Sequence, residues 1–135
     1  MTLDFPPDER ARLAALRNYG FVEGESLAEF DDLARIAAQI ADAPIAAVTM
    51  VDENRQVFVG SCGLEVHGTP RDQSFCAHAI GRPDRLLEVA DARLDARFRD
   101  NPLVVGEPGI RSYFGAPIVD EEGFALGALC VIDVR

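Results

Sequence analysis

Two apolar runs constrain the fold of this chain most: Ala46-Ala47-Val48-Thr49-Met50, and the stretch from Ala125 to Ile132. Neither alternates apolar with polar residues as a half-exposed strand would, so both read as strands covered on both faces. Each run belongs to a hairpin. Ile45 to Val51 and Gln56 to Ser61 flank a turn at Asp52-Glu53-Asn54. Ser112 to Val119 and Phe124 to Val134 flank a second turn at Asp120-Glu121-Glu122-Gly123. The β-branched content of these runs and the polar residues between them are the usual signals of antiparallel pairing. A further strand is expected at Leu86 to Val89, giving five. Gly115 and Pro117 suggest a bulge or an edge, and Gly127 a close approach of two backbones.

Two helices precede the first hairpin. Pro6-Pro7 followed by Asp8 and Glu9 reads as a helix start, with Leu13 and Leu16 on one face of a helix running to about Tyr19. Gly20 and Gly24 then interrupt it. Ser26-Leu27-Ala28-Glu29 fits a capping box, and Phe30, Leu33, Ala34, Ala37, Ile40 and Ala41 recur with helical spacing behind it. The expected helix covers about 26–42 and ends before Pro44. Residues 1–25 therefore form an N-terminal helix and linker, and residues 26–135 the main domain. Between the hairpins, residues 62–111 are irregular and rich in Gly and Pro, with a possible helix starting near Ser74. Such a stretch inside a compact domain is expected to act as a lid or binding loop.

With 135 residues, 48% of them apolar, the chain has material for one domain and one core. Its formal net charge is −10, from 23 acidic and 13 basic side chains, and every basic residue is Arg. Clustered positive charge is what nucleic acids and anionic membranes require, so neither is expected as a partner. The lack of Lys excludes Schiff-base chemistry and a P-loop lysine. Cys62, Cys76 and Cys130 are odd in number and widely spaced, which argues against a disulfide framework. The N-terminus shows no leader pattern, and no stretch approaches the ~20 apolar residues that span a bilayer. The expectation is a soluble cytoplasmic protein.

Several blocks then fall in a characteristic order: Gln73-Ser74-Phe75-Cys76-Ala77-His78-Ala79-Ile80, Val89-Ala90-Asp91-Ala92, Arg97-Phe98-Arg99-Asp100-Asn101-Pro102-Leu103, and Gly109-Ile110-Arg111-Ser112-Tyr113. With Gly115-Ala116-Pro117 and Leu126 to Asp133, they resemble the GAF domain family, most closely the domains that open bacterial sensor histidine kinases and diguanylate cyclases. The resemblance covers nearly the whole chain. It implies an α+β fold of the GAF-like type: a central, mainly antiparallel sheet of five or six strands, helices on one face, and a lid segment over a small-molecule pocket on the other. It also implies a homodimer through the N-terminal helices, and an output domain, kinase or cyclase, outside this chain or in trans.

The residues expected to line a ligand site are Phe75, Cys76, His78, Asp91, Phe98, Asn101, Arg111 and Tyr113. Arg111 offers a planar fork for a carboxylate or phosphate, with Tyr113 on the same face of a strand and Phe75, Phe98, Leu103 and Ile110 as apolar walls. The alternative is that Arg111 pairs with Asp91 or Asp100 merely to pin the lid. Cys76, in the first turn of a helix capped by Ser74, has a position that favours a thiolate, and the alternative is a small buried apolar residue beside a structural His78. Cys62, His67, Cys76, His78 and Cys130 are possible metal ligands, but only Cys76 and His78 are close in sequence, and i, i+2 on a helix diverge; no metal site is expected. No complete set of nucleophile, base and orienting group is visible. The reading is a sensing or small-molecule-binding regulatory module of signal transduction, not an enzyme; its ligand and any cofactor stay open. The alternatives are a thiol-based redox sensor or small thiol enzyme using Cys76, or a ligand-free dimerisation scaffold.

Overall fold

The computed structural model describes residues 8–135, so the Pro6-Pro7 helix start lies outside the described residues. The chain forms α1 (Glu9–Asn18), α2 (Ala28–Ala41), β1 (Ile45–Val51), β2 (Arg55–Cys62), β3 (Gly68–Pro70), α3 (Phe75–Ala79), β4 (Leu87–Val89), α4 (Pro102–Val105), β5 (Ser112–Val119) and β6 (Ala125–Asp133). Single 3₁₀ turns occupy Arg71–Gln73 and Ala92–Leu94. The strands make one six-stranded sheet in the order β3-β2-β1-β6-β5-β4, with every neighbouring pair antiparallel. Both hairpins are where the sequence puts them. The short strand β3 is additional; its three residues carry too little pattern to be read.

The two doubly covered runs are β1 and β6, paired at the centre of the sheet from Ile45 opposite Ile132 to Met50 opposite Gly127. All seven residues of β1 are buried. Val48 and Met50 face Leu16 of α1 together with Val59 and Leu126, while Ala46 meets Ala34 and Ala38 of α2. Ala47 and Val51 face the other way, into a larger cluster with α3, Phe98 and Tyr113. The centre of the sheet tolerates no extra bulk. A Cβ at Gly127 would lie 1.7 Å from the Thr49 carbonyl oxygen, the close approach expected there.

Helix α2 departs from expectation at two points. The Ser26 capping box does not form: the N–H of Leu27 donates to the Val59 carbonyl at 2.9 Å and sets Leu27 as the N-cap, whose hydrocarbon side chain can make no capping bond. The apolar residues also divide between two faces. Ala34 and Ala38 are buried and Phe30 and Ala37 pack against the sheet, whereas Leu33, Ile36 and Ile40 stand in solvent, Ile40 at 83% exposure. The helix packs close: a Cβ at Gly60 would meet the Phe30 backbone at 2.4 Å, so small alanines occupy the contact and the large residues are left outside.

A buried polar clasp joins α1 to the lid around the end of the sheet. Arg12, with no exposed surface, donates to both carboxylate oxygens of Glu9 at 2.7 and 3.1 Å and to the carbonyl of Ala125 at 3.2 Å. Arg71, just after β3, reaches the same Glu9 carboxylate and the Asp52 carbonyl. Burial pushes the Glu9 carboxyl up, but the hydrogen bonds and charges of Arg12 and Arg71 outweigh this and hold it below its ordinary value. A carboxyl with a depressed folded-state pKa adds stability at neutral pH that is lost as pH falls through that lower value. Glu9→Gln is therefore expected to cost about 2–4 kcal/mol at pH 7, because it strands a buried guanidinium. Urea unfolding of the two proteins checks this, and the gap should close below about pH 4, the unfolded carboxyl range.

Candidate functional site

The lid folds over the sheet through polar groups placed one by one. Ser74 is extended and caps α3: its hydroxyl accepts from the Ala77 N–H at 3.0 Å and donates to the side-chain Oε1 of Gln56 at 2.6 Å. The Gln56 amide donates in turn to Thr69 at 3.1 Å, and the Thr69 hydroxyl to the Pro70 carbonyl. This relay runs from strand β2 to the lid with little access to water, where a satisfied network fixes geometry and an unsatisfied one is costly. Asn101 makes the second pin. It accepts from the Leu103 N–H at 2.8 Å to cap α4 and donates to the Gln73 carbonyl at 3.1 Å. Arg111 makes the third, donating to the carbonyls of Val104 at 3.1 Å and Ile110 at 3.2 Å.

Between lid and sheet lies a cavity of about 60 Å³. Phe58, Tyr113 and Cys130 form its floor, and Phe75, Leu103 and Ile110 its roof. The lining is almost entirely apolar; its polar atoms come from Gln56, Thr69, Cys76 and Tyr113. The volume is well below the roughly 300–1,000 Å³ of sites for drug-sized ligands, so with the lid closed it takes a molecule of only a few heavy atoms.

The chemistry at the cavity wall centres on Cys76. Its sulfur lies 3.0 Å from the Tyr113 hydroxyl, and Thr49 and Cys130 are also its hydrogen-bond partners. Burial opposes ionisation of Cys76 most, but hydrogen bonds from Cys130, Thr49 and Tyr113 leave its thiol below the ordinary value. The same contacts push Cys130 up, and burial does so for the Tyr113 hydroxyl. The Tyr113 ring lies flat along its own strand because residue 115 is glycine; a Cβ there would meet the hydroxyl at 2.3 Å.

Of the residues expected from sequence, Phe75, Cys76 and Tyr113 line the cavity, together with the expected walls Leu103 and Ile110. The others lie elsewhere. Phe98, fully buried, stacks on Phe75 with ring centres 4.0 Å apart and is core behind the cavity wall. His78 sits edge-on to Phe98 at 4.8 Å and opens on a different groove. Asp91 holds Arg93 at 2.9–3.0 Å and caps the following turn. Asn101 and Arg111 pin the lid, Arg111 through carbonyl oxygens and not through Asp91 or Asp100. Gln56, Phe58, Thr69 and Cys130 were not among the residues expected at a ligand site, Cys130 having been weighed only as a possible metal ligand. Gln56 had a readable signal, an amide at the start of an otherwise apolar strand.

The model of the GAF domain family matches residues 26–135. Over 133 residues the chain is 47% identical to the cyclic di-GMP phosphodiesterase PA2567 of Pseudomonas aeruginosa, covering 98% of this chain and 22% of that protein. The chain belongs to the GAF domain family. Among solved GAF structures, that of a phosphoenolpyruvate-protein phosphotransferase from Coxiella burnetii superposes with a TM-score of 0.64 at 16% identity, over 93% of this chain and 77% of that one. The type II free methionine-R-sulfoxide reductase of Thermoplasma acidophilum superposes with a TM-score of 0.62 at 9% identity, over 79% and 73%. These two show the fold alone. The chain spans about a fifth of the length of its Pseudomonas relative.

The GAF lid rests on few bonds, so Asn101 should be a sensitive point. Asn101→Ala is expected to cost about 1–2 kcal/mol from the lost cap and lost lid bond. Hydrogen exchange should rise at residues 102–110 while β1 and β6 stay protected.

Proposed function

We propose that this GAF domain, a regulatory module of signal transduction, senses a compact, uncharged and mostly apolar molecule held between lid and sheet. The observation that carries the reading is the cavity itself: a space walled by apolar side chains, with Gln56, Thr69 and Tyr113 offering polar contacts and no charged group among its lining residues. A buried ionic ligand without a counter-charge is strongly disfavoured in such a space. The Arg111 corner, expected from sequence to take an anion, turns its Nη1 to the backbone carbonyls of Val104 and Ile110, and Arg111 is not among the residues that line the cavity. Occupancy would act on the lid, whose pins lead through Arg71 and Glu9 to α1.

The reading is of a domain that regulates and leaves catalysis to other parts of the protein. Cys76 and His78 line different spaces, and the partners of the buried Cys76 among the described residues are thiol and hydroxyl groups, which supports this reading. The relative in Pseudomonas is a cyclic di-GMP phosphodiesterase, which supports an output acting on that nucleotide, beside the kinase or cyclase expected from sequence. Among the described residues, no helix is long and apolar enough to cross a membrane, which supports a cytoplasmic module. The dimer is best placed on α2. The apolar side of α1 is used within the domain through Leu13 and Leu16, whereas Leu33, Ile36 and Ile40 form an exposed stripe at helical spacing.

Native mass spectrometry of freshly purified protein tests both parts. The wild type should be a dimer retaining a small neutral molecule. Leu103→Phe, which fills the cavity, should lose the small molecule and keep the dimer; Ile36→Glu with Ile40→Glu should give a monomer that keeps it. A wild-type monomer overturns the dimer, and the same adduct on Leu103→Phe overturns the site.

A further inference from the structure

A second space lies outside the cavity under the lid, along β4, the last strand of the sheet, opposite the end of α3. It is an open groove of about 520 Å³. Arg82, Arg85 and Arg97 line it, with His78 in its wall and Glu88 as its one acidic lining residue. The convergence is notable in a chain with 13 basic residues and a net charge of −10. Most arginines here are already occupied by acids: Arg12, Arg17, Arg35, Arg55, Arg71, Arg93, Arg99 and Arg135 all hold carboxylates within 4.0 Å. Arg97 is fixed by Asp95, which accepts from its Nε and Nη2 at 3.0 and 2.8 Å, and its guanidinium also lies 5.1 Å from the centre of the Phe98 ring.

Arg82 and Arg85 differ. Among the described residues neither has a carboxylate within ion-pair distance, although Asp84 stands between them in sequence. The turn that carries them is held by backbone bonds, from Arg82 N–H to Ala79 and from Arg85 N–H to Arg82, so neither side chain is needed to build it. Two unpaired forks and one preset fork on a single groove match an acceptor with several oxygens and more than one negative charge, which is a phosphate group. The groove is far larger than a phosphate, and Leu86, an exposed apolar side chain, lines it too. The volume falls within the range for organic ligands.

We propose that this groove binds a phosphate-bearing small molecule, its phosphate held by Arg82, Arg85 and Arg97 and its organic part lying against Leu86. The site is separate from the cavity under the lid, so either can fail without the other. Glu88 limits the affinity, since its carboxylate shares the groove with the incoming charge.

Nitrogen–proton correlation NMR on the whole chain tests this with adenosine 5′-monophosphate as the probe, adenosine and inorganic pyrophosphate as comparisons, and ionic strength held constant with sodium chloride. The monophosphate should shift the amide signals of Ala79, Arg82, Arg85, Leu87 and Glu88. Adenosine should not, and pyrophosphate should shift the same set more weakly, for want of the organic part. Arg82→Ala with Arg85→Ala should weaken binding at least about tenfold, with the thermal midpoint unchanged because both side chains are exposed. Glu88→Gln should tighten it by about twofold to fivefold, an effect that general surface attraction would spread over every acidic residue. Equal affinity in the double variant, equal response to adenosine, or shifts scattered over the surface would overturn the proposal.

Discussion

The pairing of β1 with β6 is the constraint on which the rest of the structure depends. Both strands are apolar on both sides, so neither can face water, and the sheet must be covered twice. The first cover is regular: α1 and α2 present small or aliphatic side chains, and Gly60 and Gly127 let backbones meet at distances no Cβ would allow. The second cover is made from residues 62–111, which contain only α3 and α4 as short helices. An irregular layer cannot satisfy its backbone groups internally, and side chains must do it. Ser74, Thr69, Asn101 and Arg111 serve that purpose, with Gln56 linking Ser74 to Thr69, and the cavity is the space their geometry leaves between the two layers.

That division explains what could be read from the sequence. The hairpins, the two N-terminal helices, the cap at Ser74 and the close approach at Gly127 depend on residues near one another in sequence or on intrinsic backbone limits, and these were legible. The face that α2 turns inward was not. Phe30, Leu33, Ala34, Ala37 and Ile40 fit a single apolar stripe, and only the tight approach at Gly60 makes the sheet accept alanines and leave Leu33, Ile36 and Ile40 outside. The capping box at Ser26 failed for a related reason, since a strand 32 residues later, at Val59 after Leu27, takes the backbone bond that sets the helix start.

The candidate site was legible in part. Phe75, Cys76 and Tyr113 were identified because loop and strand residues of those types stood out in the irregular middle section. Arg111 and Asn101 stood out for the same reason, but their hydrogen bonds run to main-chain carbonyls, which a sequence cannot display. Cys130 and Gln56 come from strands far apart in sequence and join the cavity through the sheet order β2-β1-β6. The local chemistry follows from this assembly. Two thiols, a phenol and a threonine share one buried corner, an environment that gives a ligand something to hydrogen-bond.

The central claim is that a dry, apolar space persists beneath a lid held by polar pins. Crystallography under xenon pressure addresses it most directly, because xenon enters apolar cavities without needing hydrogen bonds. For protein first freed of any co-purified small molecule, the account predicts a xenon atom bounded by Phe58, Leu103, Tyr113 and Cys130, with the Ser74–Gln56 and Asn101–Gln73 bonds intact. Ordered water filling that space with no xenon entering it, or a lid collapsed onto the sheet, would contradict it.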